Sequence, residues 1–216
     1  MRIGVLGTGM VGQALATRLV ETGHNVVMGA RSANNEKATT WAEQQGERAA
    51  AGTFADAAAH GEAVVNATGG AVSLAVLEQA GTDNLAGKVL VDVSNPIKPD
   101  SGFPPVLDPV STDSLAETIQ RTYPDSRVVK TLNTMTADLM GHPEALDAPS
   151  DVFLAGDDAD AKAAVVGLLR GFGWPESSIR DLGGLAAARG LEMYLIFWIN
   201  LRMTLGHNMF NIRVVG

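Results

Sequence analysis

Apolar residues in this chain fall in short unbroken runs rather than in strict alternation. The runs are I-G-V-L ending at Leu6, then residues 25–30, 63–67, 88–94, 127–133 and 151–156. Strands that are apolar throughout belong to sheets covered on both faces. Between the runs, the spacing of apolar positions is helical. It predicts helices after the first run, over 35–45, near 54–60, and over 71–80, 112–121 and 160–172. Strands that alternate with helices predict a parallel sheet. The expected architecture is therefore α/β, a Rossmann-like doubly wound, mostly parallel sheet with a small C-terminal helical part.

Residues 46–53 are thin in large side chains and read as a connection. Residues 99–109 carry four prolines and Gly102 and read as a long loop. Ser111 or Thr112 is the expected cap of the helix that follows. A short strand is expected at 179–182, then a long apolar helix over 184–209, then a last short strand at 210–215. The long helix is broken by Glu192, Asn200 and Arg202, so it reads as buried by the sheet and a second subunit rather than as a membrane span. The division expected is a nucleotide-binding domain at 1–156 and a C-terminal extension at 157–216.

Chemistry first appears where the opening run ends. Gly7-Thr8-Gly9-Met10-Val11-Gly12 follows a strand and opens a helix, and a second strand comes after it. In that context G-x-G-x-x-G is a dinucleotide fingerprint. Gly7 makes the turn, Gly9 admits a pyrophosphate, and Gly12 lets helix and strand approach. The second strand ends in Ala30-Arg31-Ser32, with no acid until Glu36. An acid there would hold the ribose 2′-hydroxyl of NAD(H). Arg31 and Ser32, with Lys37 nearby, suit the 2′-phosphate of NADP(H).

Composition removes several alternatives. A net charge of −8 without a basic run argues against nucleic acid and anionic membrane as partners. The chain has no cysteine, so thiol catalysis and thiolate metal sites are excluded, and no other metal-ligand set is visible. The N-terminus enters the first strand at once, so a cytoplasmic location is expected. Strand ends in an open parallel sheet carry the ligands. Those at 66–70, 94–96 and 134–137 are rich in glycine, small hydroxyls and amides, and read as lacking carboxylates, histidines and lysines. His24, His60, His142 and His207 read as surface or capping residues, and no catalytic side chain is assigned. Hydride exchange between a nicotinamide and a flavin-like ring needs alignment more than proton transfer. Thr68-Gly69-Gly70 and Thr134-Met135-Thr136-Ala137 leave room for two stacked rings.

The chain resembles the NADPH-dependent reductases of the deazaflavin coenzyme F420 and the related cytosolic domains of STEAP-type metalloreductases. The resemblance rests on G-T-G-M-V-G with A-R-S, on V-D-V-S-N-P at 91–96, V-V-K-T-L-N-T-M at 128–135, F-L-A-G-D-D at 153–158 and the terminal F-N-I-R-V-V. It implies a homodimer that moves a hydride between NADP(H) and F420 without acid–base side chains. By motif match, Thr8, Gly9, Met10, Val11, Arg31 and Ser32 would hold NADP. Asn66, Ala67, Thr68 and Gly69, with Ser94, Asn95 and Pro96, would line the nicotinamide side. Met135, Thr136 and Ala137 fall where the family places the deazaflavin, beside Thr134, with Asn211 and Ile212 nearby. The resemblance has two departures. Thr68-Gly69-Gly70 replaces the proline and aromatic of archaeal deazaflavin reductases, and Asn95-Pro96 with 130–133 is nearer the metalloreductase domain, which uses an ordinary flavin. The alternatives are an NADPH-dependent flavin (FMN or FAD) or ferric reductase, and an NADP(H)-binding redox sensor without turnover. An imine or 2-hydroxy-acid reductase fits less well, because no lysine or paired acid marks a strand end.

Overall fold

The computed structural model describes residues 1–215. Eight strands form one sheet: β1 (Arg2–Leu6), β2 (Asn25–Ala30), β3 (Ala49–Thr53), β4 (Ala63–Asn66), β5 (Val89–Asp92), β6 (Arg127–Thr131), β7 (Val152–Ala155) and β8 (Ile179–Asp181). Their order is β3-β2-β1-β4-β5-β6-β7-β8. The pairs from β3 through to β6 are parallel, β6 and β7 are antiparallel, and β8 runs parallel to β7. The chain leaves β1 toward β2 on one side and returns to β4 on the other. The crevice outside the carboxyl ends of β1 and β4 is thus the switch point where ligands bind in such sheets.

The helices are α1 (Met10–Glu21), α2 (Glu36–Gln45), α3 (Phe54–His60), α4 (Gly70–Ala80), α5 (Thr82–Leu85), α6 (Leu115–Thr122), α7 (Ala137–Gly141), α8 (Ala159–Gly171) and α9 (Ala188–Leu205). The sheet separates two apolar cores. Ile3, Val65 and Val91 face α1, α2, α7 and α8, whereas Val64, Leu90 and Val128 face α3, α4 and α6. Successive strand residues alternate between two buried faces, and that is why the runs read as continuously apolar. No described helix is long and apolar enough to cross a membrane.

Four sequence expectations change. Residues 49–53 form a strand, with Val26 to Ala30 in register against Ala49 to Thr53. Alanine and glycine are poor strand formers, but the free edge of β2 outweighs that propensity. The helix expected from 112 begins at Leu115 instead, with Ser114 as its cap accepting from the Glu117 N–H at 3.1 Å. Leu185–Ala187 is a 3₁₀ turn before α9, and Gly206, left-handed at φ 75°, ends that helix early. Residues 210–215 form no strand. They cross the start of β7, where the Asp151 N–H donates to the Ile212 carbonyl at 2.8 Å and the Asn211 amide to the Asp151 carbonyl at 2.9 Å.

Candidate functional site

The three glycines after β1 are glycines for different reasons. Gly7 has φ 118°, and a Cβ there would lie 2.7 Å from the Ala67 carbonyl oxygen. A Cβ on Gly12 would strike the Gly7 carbonyl. Both positions are fixed by the packing of β1, α1 and β4. Gly9 is different. Its φ of −79° suits any residue, and nothing lies within 4 Å of where its Cβ would be. Nothing in the chain demands glycine there, and the space beside it is open. Gly9 is also the cap residue of α1 and supplies no side-chain hydrogen bond, and the first turn holds no acid. The first N–H groups of α1 are therefore open to an anion. Met10 is exposed and Val11 half-buried at the mouth of this turn.

A cleft of about 430 Å³ opens beside the turn, lined by Thr8, Gly9, Arg31, Thr68, Gly69 and Val72 among others. Arg31 and Ser32 are both exposed at the end of β2. The register places Ala30 against Thr53, and Asp56 follows Thr53 on that edge. Asp56 is already engaged. Its carboxylate accepts from the Thr53 hydroxyl at 2.6 Å and the Thr53 N–H at 2.8 Å, closing a capping box on α3. These hydrogen bonds, the hydroxyl's first, hold its pKa below the ordinary carboxylate value. Hence the acid beside the end of β2 is tied to its own helix, and the cation faces the cleft.

The exits of β4, β5 and β6 are built in the opposite way, from charges buried against each other. Lys130 and Asp92 are fully buried and Glu192 is 2% exposed. The Lys130 ammonium lies 2.7 Å from Asp92 and 2.9 Å from Glu192, and it also donates to the Ser94 carbonyl. Asp92 Oδ1 accepts from the Asn66 amide at 2.9 Å and the Ser94 hydroxyl at 2.7 Å. Asn66 in turn accepts from the Thr68 hydroxyl at 2.7 Å and donates to Ser73 at 3.0 Å. Glu192 accepts from the N–H groups of Leu115 and Ala116 at 2.9 and 3.2 Å, at the start of α6. Burial works against the charge of Lys130, but Asp92 and Glu192 outweigh it and hold the ammonium above its ordinary pKa. Burial pushes Glu192 up, against the pull of Lys130.

This corrects the expectation that strand ends here lack carboxylates and lysines. Asp92 is the last residue of β5, and Lys130 stands one before the end of β6. They were hidden inside apolar runs. The signal was available: a charge inside a run this apolar needs a partner of opposite sign, and Glu192 breaks the long apolar helix.

Past β6 the backbone bends sharply. Leu132 has φ 61° although it is branched and buried, a costly conformation for such a residue. The bend turns Asn133 toward Asn95. The two side chains bridge the strands: Asn133 donates to Asn95 Oδ1 at 2.9 Å, and Asn95 donates to the Asn133 carbonyl at 3.0 Å. Asn133 also donates to the Leu191 carbonyl of α9 at 2.8 Å. Thr134 and Met135 are buried, Met135 within the core beside α1, while Thr136 and Ala137 are half-buried. Asn208 donates to Thr136 at 3.0 Å, which brings the C-terminal segment to this exit. Asn211 and Ile212 lie at the neighbouring start of β7. Among the described residues, Thr134 Oγ1 and Asn211 Oδ1 are buried without a partner.

Three histidines stand apart from these groups: His24 bonds the N-terminus, His60 the Asn25 carbonyl and His142 the Glu144 carboxylate, whereas His207 lies edge-on to Phe210 in the C-terminal segment. Among the described residues, no group of three or more metal-ligating side chains is present.

The model of the family "NADP oxidoreductase coenzyme F420-dependent" matches residues 2–96. A crystal structure from Arthrobacter sp. FB24, of a protein named as a candidate F420-dependent NADP reductase, superposes with a TM-score of 0.93. It is 45% identical and covers 99% of both chains. Metalloreductase STEAP3 of Rattus norvegicus is 33% identical over 88% of this chain. This chain spans only 36% of that relative's length. A reductive aminase of Aspergillus terreus shares the fold, at a TM-score of 0.67 and 23% identity over 95% of this chain and 62% of its own. The chain belongs to the coenzyme F420-dependent NADP oxidoreductase family.

Proposed function

We propose that this protein transfers a hydride between NADP(H) and a deazaflavin of the F420 type. The observation that carries the nucleotide half is Gly9, open on the protein side and set at the start of α1 between Arg31 and Gly69. A Cβ there would fill the space a pyrophosphate needs. In this reading the α1 N–H groups at Met10 and Val11 hold the pyrophosphate within the Gly7–Gly12 turn. Arg31 and Ser32 hold the 2′-phosphate. Asn66, Ala67, Thr68 and Gly69 form one wall of the nicotinamide side, and Ser94, Asn95 and Pro96 the other. Bound NADPH supplies the hydride.

Thr134, Met135, Thr136 and Ala137, with Asn211 and Ile212, shape the acceptor side. The Thr134 hydroxyl and the Asn211 side-chain carbonyl are buried there without a protein partner. Asp92 and Lys130 are committed to each other and to the loops, so residues at these exits orient rings rather than carry protons. The C-terminal extension from 157 completes this side.

The full-length match to the Arthrobacter protein supports the deazaflavin, and the match to the metalloreductase STEAP3 supports an NADPH-dependent flavin or ferric reductase as the second reading. NADPH oxidation followed with purified F420, FMN and FAD side by side separates them. Rapid turnover with F420 alone is expected. Turnover with FMN or FAD alone transfers the chain to the second reading. NADPH binding without turnover on any of them makes it a sensor.

The same proposal includes a homodimer. Phe197, Met203 and Leu205 on α9 are 54%, 64% and 48% exposed. A second copy would cover this apolar face. Sedimentation at micromolar concentration is expected to give twice the chain mass, and a monomer would refute it.

A further inference from the structure

We infer that Lys130 and Glu192 are positioning residues, which hold the two nicotinamide-side loops in one arrangement by tying both to α9. The inference rests on the role proposed above for residues 66–69 and 94–96. Its basis is the connectivity of the buried cluster. Asp92 grips the β4 exit through Asn66 and its own β5 exit through Ser94. Lys130 grips Asp92 and the Ser94 carbonyl at once. Glu192 then anchors Lys130 to α9, and through the Leu115 and Ala116 N–H groups to α6. The Asn133 bridge joins the same three parts, β5 exit, β6 exit and α9, by a second route. Among the described residues, no contact of this kind reaches the phosphate turn. Residues 7–12 are held instead by glycine packing, partly against Ala67, by the Gly7 N–H on the Gly29 carbonyl at 3.1 Å and by the Gln13 amide on the Thr8 carbonyl at 3.0 Å. The hydrogen bonds of the cluster therefore reach one half of the dinucleotide crevice and stop short of the other.

A structural role alone would predict lower stability and nothing else when the cluster is cut. A positioning role predicts a local loss of order and a turnover defect without a binding defect. The test uses the double variant Lys130→Met with Glu192→Gln. It preserves the net charge of the cluster, and the new amide keeps an oxygen for one of the Leu115 and Ala116 N–H groups, which use different carboxylate oxygens. Amide hydrogen exchange is read on the unliganded protein, and steady-state kinetics are read with the active acceptor. Exchange at 66–70 and 93–95 is expected to quicken at least about tenfold while 7–12 stays within about twofold. kcat is expected to fall at least about tenfold, with the KM for NADPH within about twofold. Unchanged exchange in the loops, or an equal rise throughout the chain, overturns the inference. If the double variant does not fold, Glu192→Gln alone is judged by the same exchange criteria. If the wild type oxidises NADPH with none of the acceptors, the proposed function falls, while the exchange pattern still decides whether the cluster orders these loops.

Discussion

The exits of β1 and β2 and the exits of β4 to β6 lie along one edge of one sheet, yet they follow opposite rules. The first pair leaves polar groups unspent. The α1 N–H groups have no side-chain cap, Arg31 faces a cleft, and Gly9 borders empty space. The second set spends nearly everything internally, with Lys130, Asp92, Glu192, Asn66 and Ser94 closed on one another below the surface. Unsatisfied donors attract a charged ligand, whereas a saturated buried network holds its shape. In the function proposed above, the contrast separates recognition of a phosphate-bearing tail from alignment of a reacting ring.

The largest effect should come from cutting the saturated half unevenly. Lys130→Met alone leaves two carboxylates buried without their cation, which costs about 3–5 kcal/mol. Urea unfolding should show that loss, and the double variant described above should recover only the part due to Glu192, because Asp92 stays buried without its cation. If the single variant is as stable as wild type, the buried charges are not a unit.

The next prediction probes the open half. Gly9→Val places a side chain where the protein has none, so the fold should persist while NADPH affinity drops by at least about 100-fold, or about 2.7 kcal/mol. Gly12→Val should instead damage folding, because its Cβ meets the Gly7 carbonyl. Titration by NADPH fluorescence, beside thermal unfolding of both variants, checks the pair. Equal behaviour of the two would erase the distinction between ligand-driven and packing-driven glycines.

Arg31→Ala should weaken NADPH by about 10- to 100-fold, as expected for a charge-assisted phosphate contact worth about 1.5–3 kcal/mol. NADH affinity should barely change. Equal losses for the two nucleotides would show that Arg31 does not read the 2′-phosphate.

The smallest effect is an ion pair nearer solvent. Arg189 donates to Glu117 at 2.6 and 2.9 Å, and this hydrogen bonding, more than simple proximity, lowers the Glu117 pKa. A carboxylate lowered on folding adds stability above its ordinary pKa and loses it as the pH falls through the lowered value. Arg189→Ala should therefore cause a small loss of stability at neutral pH and none once the carboxylate is protonated. A pH series of unfolding midpoints gives the answer. A cost that grows toward acid pH would reverse the sign and refute the assignment.

Legibility in the sequence follows the same divide. The unit β1-α1-β2 could be read nearly to the residue, because its apolar runs, glycines and connections are local signals close together in the chain. Arg31 could be placed at the cleft because it directly follows a strand end. The Lys130 cluster could not be assembled. Its members stand far apart in sequence, with Asp92 and Lys130 separated by 38 positions, and each looks like an isolated polar break in an apolar run. β3 was missed for another reason: its alanines and glycine carry no strand preference, and only the bare edge of β2 recruits them. Residues 210–215 mislead in the other direction. Their β-branched residues suit a strand, but the chain there crosses the start of β7 and finds single contacts rather than a ladder.

The reversal of β7 also sorts the polarity of the ligand edge. Helices that follow the parallel strands, such as α1 and α4, begin at that edge and present the positive ends of their dipoles to it. Because β7 runs backward, α8 starts at the far edge, where Asp158 caps it, and brings its negative end back toward the ligand side. Arg18 meets that end, donating to the Phe172 carbonyl at 2.9 Å. The ligand edge thus gathers the positive ends of α1 and α4, while the negative end that α8 returns to that side is answered by a cation of the chain itself.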